Sequence, residues 1–173
     1  IDLSRLQSSD PLHKAFAVDI SEAIREAVSQ AQFSSEQRNI FLEVGEVEDA
    51  IVVGDRDQIV TAIHNLIENA VNYSPENTKV SIVTKRNEDV VEISVTDQGI
   101  GIAESDLARI FERFYRVDPA RSRLTGGTGL GLSIVKHIAL NHGGDVKVWS
   151  KVGVGSTFTL LLPISTLEDG ANR

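Results

Sequence analysis

The chain has no cysteine and no methionine among its 173 residues. Without cysteine there is no disulfide, no thiolate zinc site and no cysteine nucleophile. A chain that begins at Ile1 and holds no methionine reads as an excised fragment. No run approaches 18 consecutive apolar residues, so no membrane-spanning helix is expected. No charged-then-apolar leader opens the sequence. Positive charge is scarce: 17 Lys and Arg stand against 25 Asp and Glu, a net charge of −8. That balance argues against nucleic acid as a partner, and the fragment itself is not expected to bind a membrane. What is present is an ordinary globular mixture, 41% hydrophobic and 24% charged. A chain of this size buries about 70% of its unfolded surface and folds without staples.

Apolar spacing divides the chain. Residues 1–15 read as the tail of something upstream, residues 16–163 as one domain, and residues 164–173 as a polar tail. Phe16 to Ile20 suits a short strand. Ile20, Ala23, Ile24, Ala27, Val28 and Ala31 recur at helical spacing and predict a helix over 21–33. Residues 39–44 and 50–53 read as strands, and 57–73 as a second helix with Ile59, Ile63, Leu66, Ile67 and Ala70 inward. A strand pair follows at 80–85 and 90–96. A loop of about 25 residues then separates two glycine-rich segments, long enough to suggest a functional lid. A third helix over 130–141 stops at Gly143-Gly144. Two strands, 145–150 and 157–162, close the domain. Three helices and six or seven strands predict an α/β (α+β) two-layer sandwich, with a mixed sheet carrying the helices on one face.

Three segments carry chemistry. On the second helix Asn65, Asn69, Asn72 and Tyr73 fall within about 100° of arc, roughly opposite the apolar side. Asparagine is a poor helix former. The stripe is either a solvated face or a set of amide oxygens suited to Mg²⁺ and phosphates. Asp97-Gln98-Gly99-Ile100-Gly101 follows a strand. It is either a plain turn or a place where a flat ligand meets the backbone, with a carboxylate for an exocyclic amine such as adenine's. Gly126-Gly127-Thr128-Gly129-Leu130-Gly131-Leu132 opens the third helix. It is either a hinge or an anion site of exposed amides. The loop between the glycine segments holds Arg109, Arg113, Arg116, Arg121 and Arg123, guanidinium groups that suit phosphate oxygens. Phe111, Phe114 and Tyr115 read as packing anchors for it. A P-loop is excluded because no lysine follows the glycines, and the Rossmann and protein-kinase loop patterns are absent. His13, His64, His137 and His142 show no metal-ligand spacing and read as structural or helix-end residues.

Together these segments resemble the catalytic ATP-binding domain of bacterial sensor histidine kinases, within the superfamily that includes gyrase-type and chaperone ATPases and shares the Bergerat fold. Residues 65–74 resemble its N box, 97–102 and 127–132 its two glycine boxes, and 110–116 its F box. The resemblance implies ATP and Mg²⁺. Asn69 would coordinate the metal, with Asn65 and Asn72 beside the phosphates. Asp97 would take the adenine amino group, with Gly99 and Gly101 shaping that wall and Tyr73 and Ile102 flanking the ring. Arg113 or Arg116 would reach the phosphates from the lid. Gly127, Thr128, Gly129, Leu130, Gly131 and Leu132 would hold the triphosphate, and Thr157 would assist Asp97 through a water.

Two departures stand out. Asn72 occupies a position that is often basic in the family. Asn65 stands where ATP-hydrolysing relatives carry Glu, and an amide cannot act as a general base; Glu68 leaves the question of hydrolysis open. The resemblance further implies phosphoryl transfer to a histidine on a separate dimerisation domain of a homodimeric parent. Residues 1–15 would then end that domain's hairpin and the linker. The phosphate would pass to a response-regulator aspartate, and the domain would be cytoplasmic in a parent anchored in the bacterial membrane.

Overall fold

The computed structural model describes residues 15–115 and 130–165. In chain order the elements are β1 (Phe16–Asp19), α1 (Ile20–Gln37), β2 (Phe41–Val47), β3 (Ile51–Gly54), α2 (Arg56–Tyr73), β4 (Lys79–Arg86) and β5 (Val90–Thr96). A single-turn α3 (Glu104–Leu107), α4 (Gly131–Asn141), β6 (Asp145–Lys151) and β7 (Gly155–Pro163) complete them.

Both long helices start at an aspartate that has just left a strand. Asp19 accepts from the amide of Ser21 at 3.0 Å, and Asp55 from that of Asp57 at 3.0 Å. Each satisfies a donor that the first turn cannot use internally. α1 runs four residues past its expected end. The Ser35 hydroxyl bonds back to the Gln32 carbonyl at 2.9 Å, so this poor helix former stays in the helix. Asn39, at φ 53°, ends it in the left-handed region.

Five strands form a mixed sheet in the order β2-β4-β5-β7-β6. β2 runs parallel to β4, and the other neighbours are antiparallel. Val80, Ile82, Val91, Ile93, Val95, Phe158, Leu160 and Leu162 are buried on one face. Register places Val95 opposite Phe158, Ile93 opposite Leu160 and Val91 opposite Leu162. Against this face lie α1, α2 and α4, so the expected two-layer sandwich is present. α2 is the middle helix, touching α1, α4 and the sheet. Val60, Ala62 and Val71 are therefore buried as well as the residues of its predicted stripe.

The opposite face carries short polar rows. Ser81, Thr96, Thr157 and Trp149 stand in register, and next to them Val83, Ser94, Thr159 and Lys147. Thr96 and Thr157 share a hydrogen bond of 2.9 Å, and Ser94 and Thr159 one of 3.0 Å. Trp149 is 57% exposed on this face.

Two features were not foreseen. β1 and β3 form a separate two-stranded sheet, Phe16 paired with Gly54 and Asp19 with Ile51. The short strands 39–44 and 50–53 thus belong to different sheets, which apolar spacing cannot reveal. α3 is one turn long and buries no residue, so it leaves no amphipathic period to read.

Candidate functional site

α2 presents Asn65, Asn69, Asn72 and Tyr73 half-buried along one side. Asn65 Nδ2 is fully buried and bonds to nothing among the described residues. An orphaned amide at such a place usually awaits a partner. Arg38 holds the helix's far end: its Nε donates to the Val71 carbonyl at 3.1 Å and its Nη2 to the Ser74 carbonyl at 2.8 Å. A cation there satisfies the last carbonyls and complements the helix dipole. Glu68, beside the amide stripe, leans on α1 instead. Its Oε1 accepts from Ser34 Oγ at 2.6 Å and lies 3.3 Å from His64 Nε2. Burial pushes its pKa up, but the His64 and Ser34 donors together outweigh that and hold it below the usual range.

Asp97 stands where β5 ends, only 6% exposed. Its Oδ1 accepts from the amide of Gly99 at 2.8 Å and from that of Ser156 at 3.2 Å. Its Oδ2 accepts nothing among the described residues. Burial raises its pKa against the opposing pull of those two amides. The wall around it is built for close approach. A Cβ at Gly99 would collide with the Tyr73 carbonyl, and one at Gly101, at φ +77°, with the Lys151 carbonyl. The end of α2 and the Asp97 segment therefore touch through backbone. Ile102 follows, its amide donating to Ser150 Oγ at 2.7 Å.

α4 closes the third side, packed on α2. Among the described residues no side chain caps its first turn, and the first-turn amides of this 11-residue helix lie at its positive end. A Cβ at Gly131 would meet nothing within 4 Å, so no neighbour among the described residues requires the glycine. The other end of α4 is tied to the start of α2. Buried His142 shares its Nδ1 hydrogen with the Ile138 carbonyl at 2.8 Å, and its Nε2 accepts from the Asp55 amide at 3.1 Å. These partners fix one neutral tautomer. Burial, the largest influence, lowers its pKa.

The described start of the lid is anchored by Ile110, buried to 4%, and by Phe111, whose ring meets Phe158 edge-on at 6.2 Å. Lys136 Nζ sits 5.8 Å from the Phe111 ring centre. Tyr115 donates to Asp106 and lies under the Arg109 guanidinium at 4.5 Å. Phe114 is no anchor: it is 63% exposed at φ 66°.

The resulting arrangement brings together a buried carboxylate, an amide face and a helix start. The family model of histidine kinase-, DNA gyrase B-, and HSP90-like ATPases matches residues 54–166, which include all three parts. The chain belongs to this family. It is 50% identical over 163 residues to the sensor-like histidine kinase SenX3 of Mycolicibacterium smegmatis, covering 94% of this chain and 42% of that protein. Among solved structures, the mycobacterial sensor histidine kinase MprB superposes with a TM-score of 0.76 at 30% identity, over 89% of this chain and 100% of that one. Full-length ShkA, solved in complex with AMPPNP, superposes with a TM-score of 0.80 at 27% identity, over 94% of this chain and 34% of that one. The chain spans less than half the length of SenX3. Within the histidine kinase-like ATPases it groups with the ATP-binding catalytic domains of sensor kinases.

Of the residues expected at this family's site, Tyr73, Asp97, Gly99, Gly101 and Ile102 lie on one stretch of wall. Asn65, Asn69 and Asn72 line the adjoining helix, and Leu130, Gly131 and Leu132 open α4. Arg113 is not brought to them: it is exposed, its guanidinium 5.6 Å from the Phe114 ring centre. Arg116, Gly127, Thr128 and Gly129 lie outside the described residues. Thr157 requires a correction. Strand alternation turns it to the open face of the sheet, where it bonds Thr96 and stands beside Trp149. The β7 residue next to Asp97 is Ser156, whose amide donates to it. Period-two spacing from Phe158, Leu160 and Leu162 back to Ser156 was the signal available for this.

Proposed function

We propose that residues 16–163 form the working unit and bind Mg-ATP between the amide face of α2, the Asp97 segment and the start of α4. They would present the γ-phosphate to a histidine imidazole on a separate dimerisation domain. The observation that carries the reading is Asp97: a buried carboxylate with one oxygen held by two backbone amides and the other accepting nothing among the described residues. Such an oxygen fits an exocyclic amine, and Tyr73 and Ile102 would flank the base. The donor set also fits the metal. Among the described residues no cluster of three His, Cys, Asp or Glu gathers to hold an ion alone. The metal would therefore come bound to phosphates, with Asn69 adding a neutral amide oxygen. Mg²⁺ would neutralise charge on the β- and γ-phosphates.

The Asn65 Nδ2, without a partner among the described residues, supplies a donor for a phosphate oxygen, and the first-turn amides of α4 supply others. These donors are fixed before the nucleotide arrives, the arrangement that lets electrostatics favour a transition state. Arg113 or Arg116 would complete the phosphate contacts from the lid. The parent would be a homodimer anchored in the bacterial membrane with this domain on the cytoplasmic side, and would pass phosphate on to a response-regulator aspartate. Among the described residues no helix is long and apolar enough to cross a membrane.

The test follows γ-labelled ATP with Mg²⁺, using the chain with and without an upstream dimerisation hairpin. Acid-labile, base-stable label on the hairpin is expected, and Asp97→Asn should abolish it. Label released as free phosphate by the chain alone, with none on the hairpin, would reject transfer in favour of hydrolysis.

A further inference from the structure

The last three turns of α2 carry one carboxylate, Glu68. At 100° per residue it lies about 60° round the helix from Asn65. It therefore borders the face that the proposed function gives to the triphosphate, and the inference rests on that reading. A carboxylate in this place has an obvious competing use. A water oxygen would attack the γ-phosphorus while Glu68 takes the water's proton. The bond from phosphorus to the bridging oxygen would break, leaving ADP and inorganic phosphate. That reaction discards the phosphoryl group before any histidine receives it.

The structure keeps Glu68 turned toward α1. Ser34 Oγ, on a different helix, reaches its Oε1 at 2.6 Å. His64, one turn back on α2, lies 3.3 Å from the same oxygen. The Ser34 hydroxyl also stands 3.1 Å from the Ala31 carbonyl. It has a single hydrogen, and the charged acceptor at shorter range is the stronger partner. Both contacts fall on the same carboxylate oxygen and so hold it on the α1 side, away from a water on the amide face. Their positions also fix its direction, because Ser34 can be reached only across the α1–α2 interface.

We propose that Ser34 and His64 are positioning residues that tether Glu68 as a withheld base, so that bound ATP is kept for transfer rather than hydrolysed. Ser34→Ala removes one tether and leaves the amide face untouched. A placed general base is worth about 10²–10⁴-fold. Release of free phosphate from Mg-ATP should therefore rise about 10-fold or more in Ser34→Ala. Ser34→Thr, which keeps a hydroxyl, should restore the parent rate, and Ser34→Ala/Glu68→Gln should lose the gain.

A second readout needs no nucleotide. By carbon-13 NMR at one fixed neutral pH, the Glu68 carboxyl resonance should move in Ser34→Ala, where the hydroxyl donor at 2.6 Å is lost, and return in Ser34→Thr. An unmoved resonance overturns the tether. So does an unchanged phosphate release in a Ser34→Ala chain that still binds a fluorescent ATP analogue, or a gain that survives Glu68→Gln. A parent chain that binds no ATP analogue would instead refute the proposed function, and the withheld-base role with it.

Discussion

Asp97 works against the fold that holds it. A carboxylate 6% exposed, with its pKa raised by burial, is a charge the folded chain would rather not carry. The two amides on Oδ1 would serve a neutral amide oxygen as well. Asp97→Asn should therefore leave the melting temperature equal to or above that of the parent. Its Nδ2 would face the ligand's amine donor to donor, and affinity for Mg-ATP should fall about 100-fold or more, because a buried polar group is left unpaired. Calorimetry of unfolding and of binding on one variant reads both. His142 has the opposite sign. Its folded pKa lies below the ordinary 6.5, so above that pH neither state binds the proton and the fold keeps its full stability. As pH falls through 6.5 the unfolded chain takes up a proton that the folded one resists, and stability declines by at most about 1.4 kcal/mol per pH unit. Urea unfolding at pH 7.5 and 5.5 should show a smaller difference in His142→Gln than in the parent. Neither residue's environment was legible in advance. The spacing around His142 says only that a helix ends, whereas its partner Asp55 lies 87 positions away.

At the scale of elements, α2 and α4 were readable because each has a strong apolar period and a stop signal, and both ends fall within a residue or two of expectation. What could not be read were features without a period: the single turn of α3, the pairing of β1 with β3, and the Ser35 back-bond near the end of α1. Thr157 illustrates a finer limit. A motif aligned on neighbouring residues does not say which of two adjacent strand positions faces the site, and the alternation along β7 decides for Ser156. The start of α4 supports a prediction of its own. Gly131 has open space where a Cβ would be, and glycine in a helix costs about 1 kcal/mol against alanine. Gly131 is the first residue of α4, so Gly131→Ala should raise stability by less than that helix-interior figure of about 1 kcal/mol. If the space is kept for phosphate, as proposed, the same change should weaken Mg-ATP binding. Thermal unfolding and nucleotide titration of the variant would separate the two effects, and unchanged affinity would remove Gly131 from the phosphate site.

Across the whole molecule the two faces of the sheet divide the work. One is buried under three helices, and the Asp97 carboxylate sits at the margin of that layer. The other is left to water as rows of threonine and serine, with Trp149 and, on the edge strand β2, Phe41 as its large exposed rings. The chain's single tryptophan stands on that open face, more than half exposed. Its fluorescence is thus a built-in reporter of the face opposite the proposed nucleotide site. Saturating Mg-ATP should leave the emission maximum and acrylamide quenching of Trp149 unchanged. A protein that covers the outer sheet should shift emission to the blue and shield it from quencher. One optical channel would then register what rests on the back of the domain while staying silent about the ligand in front.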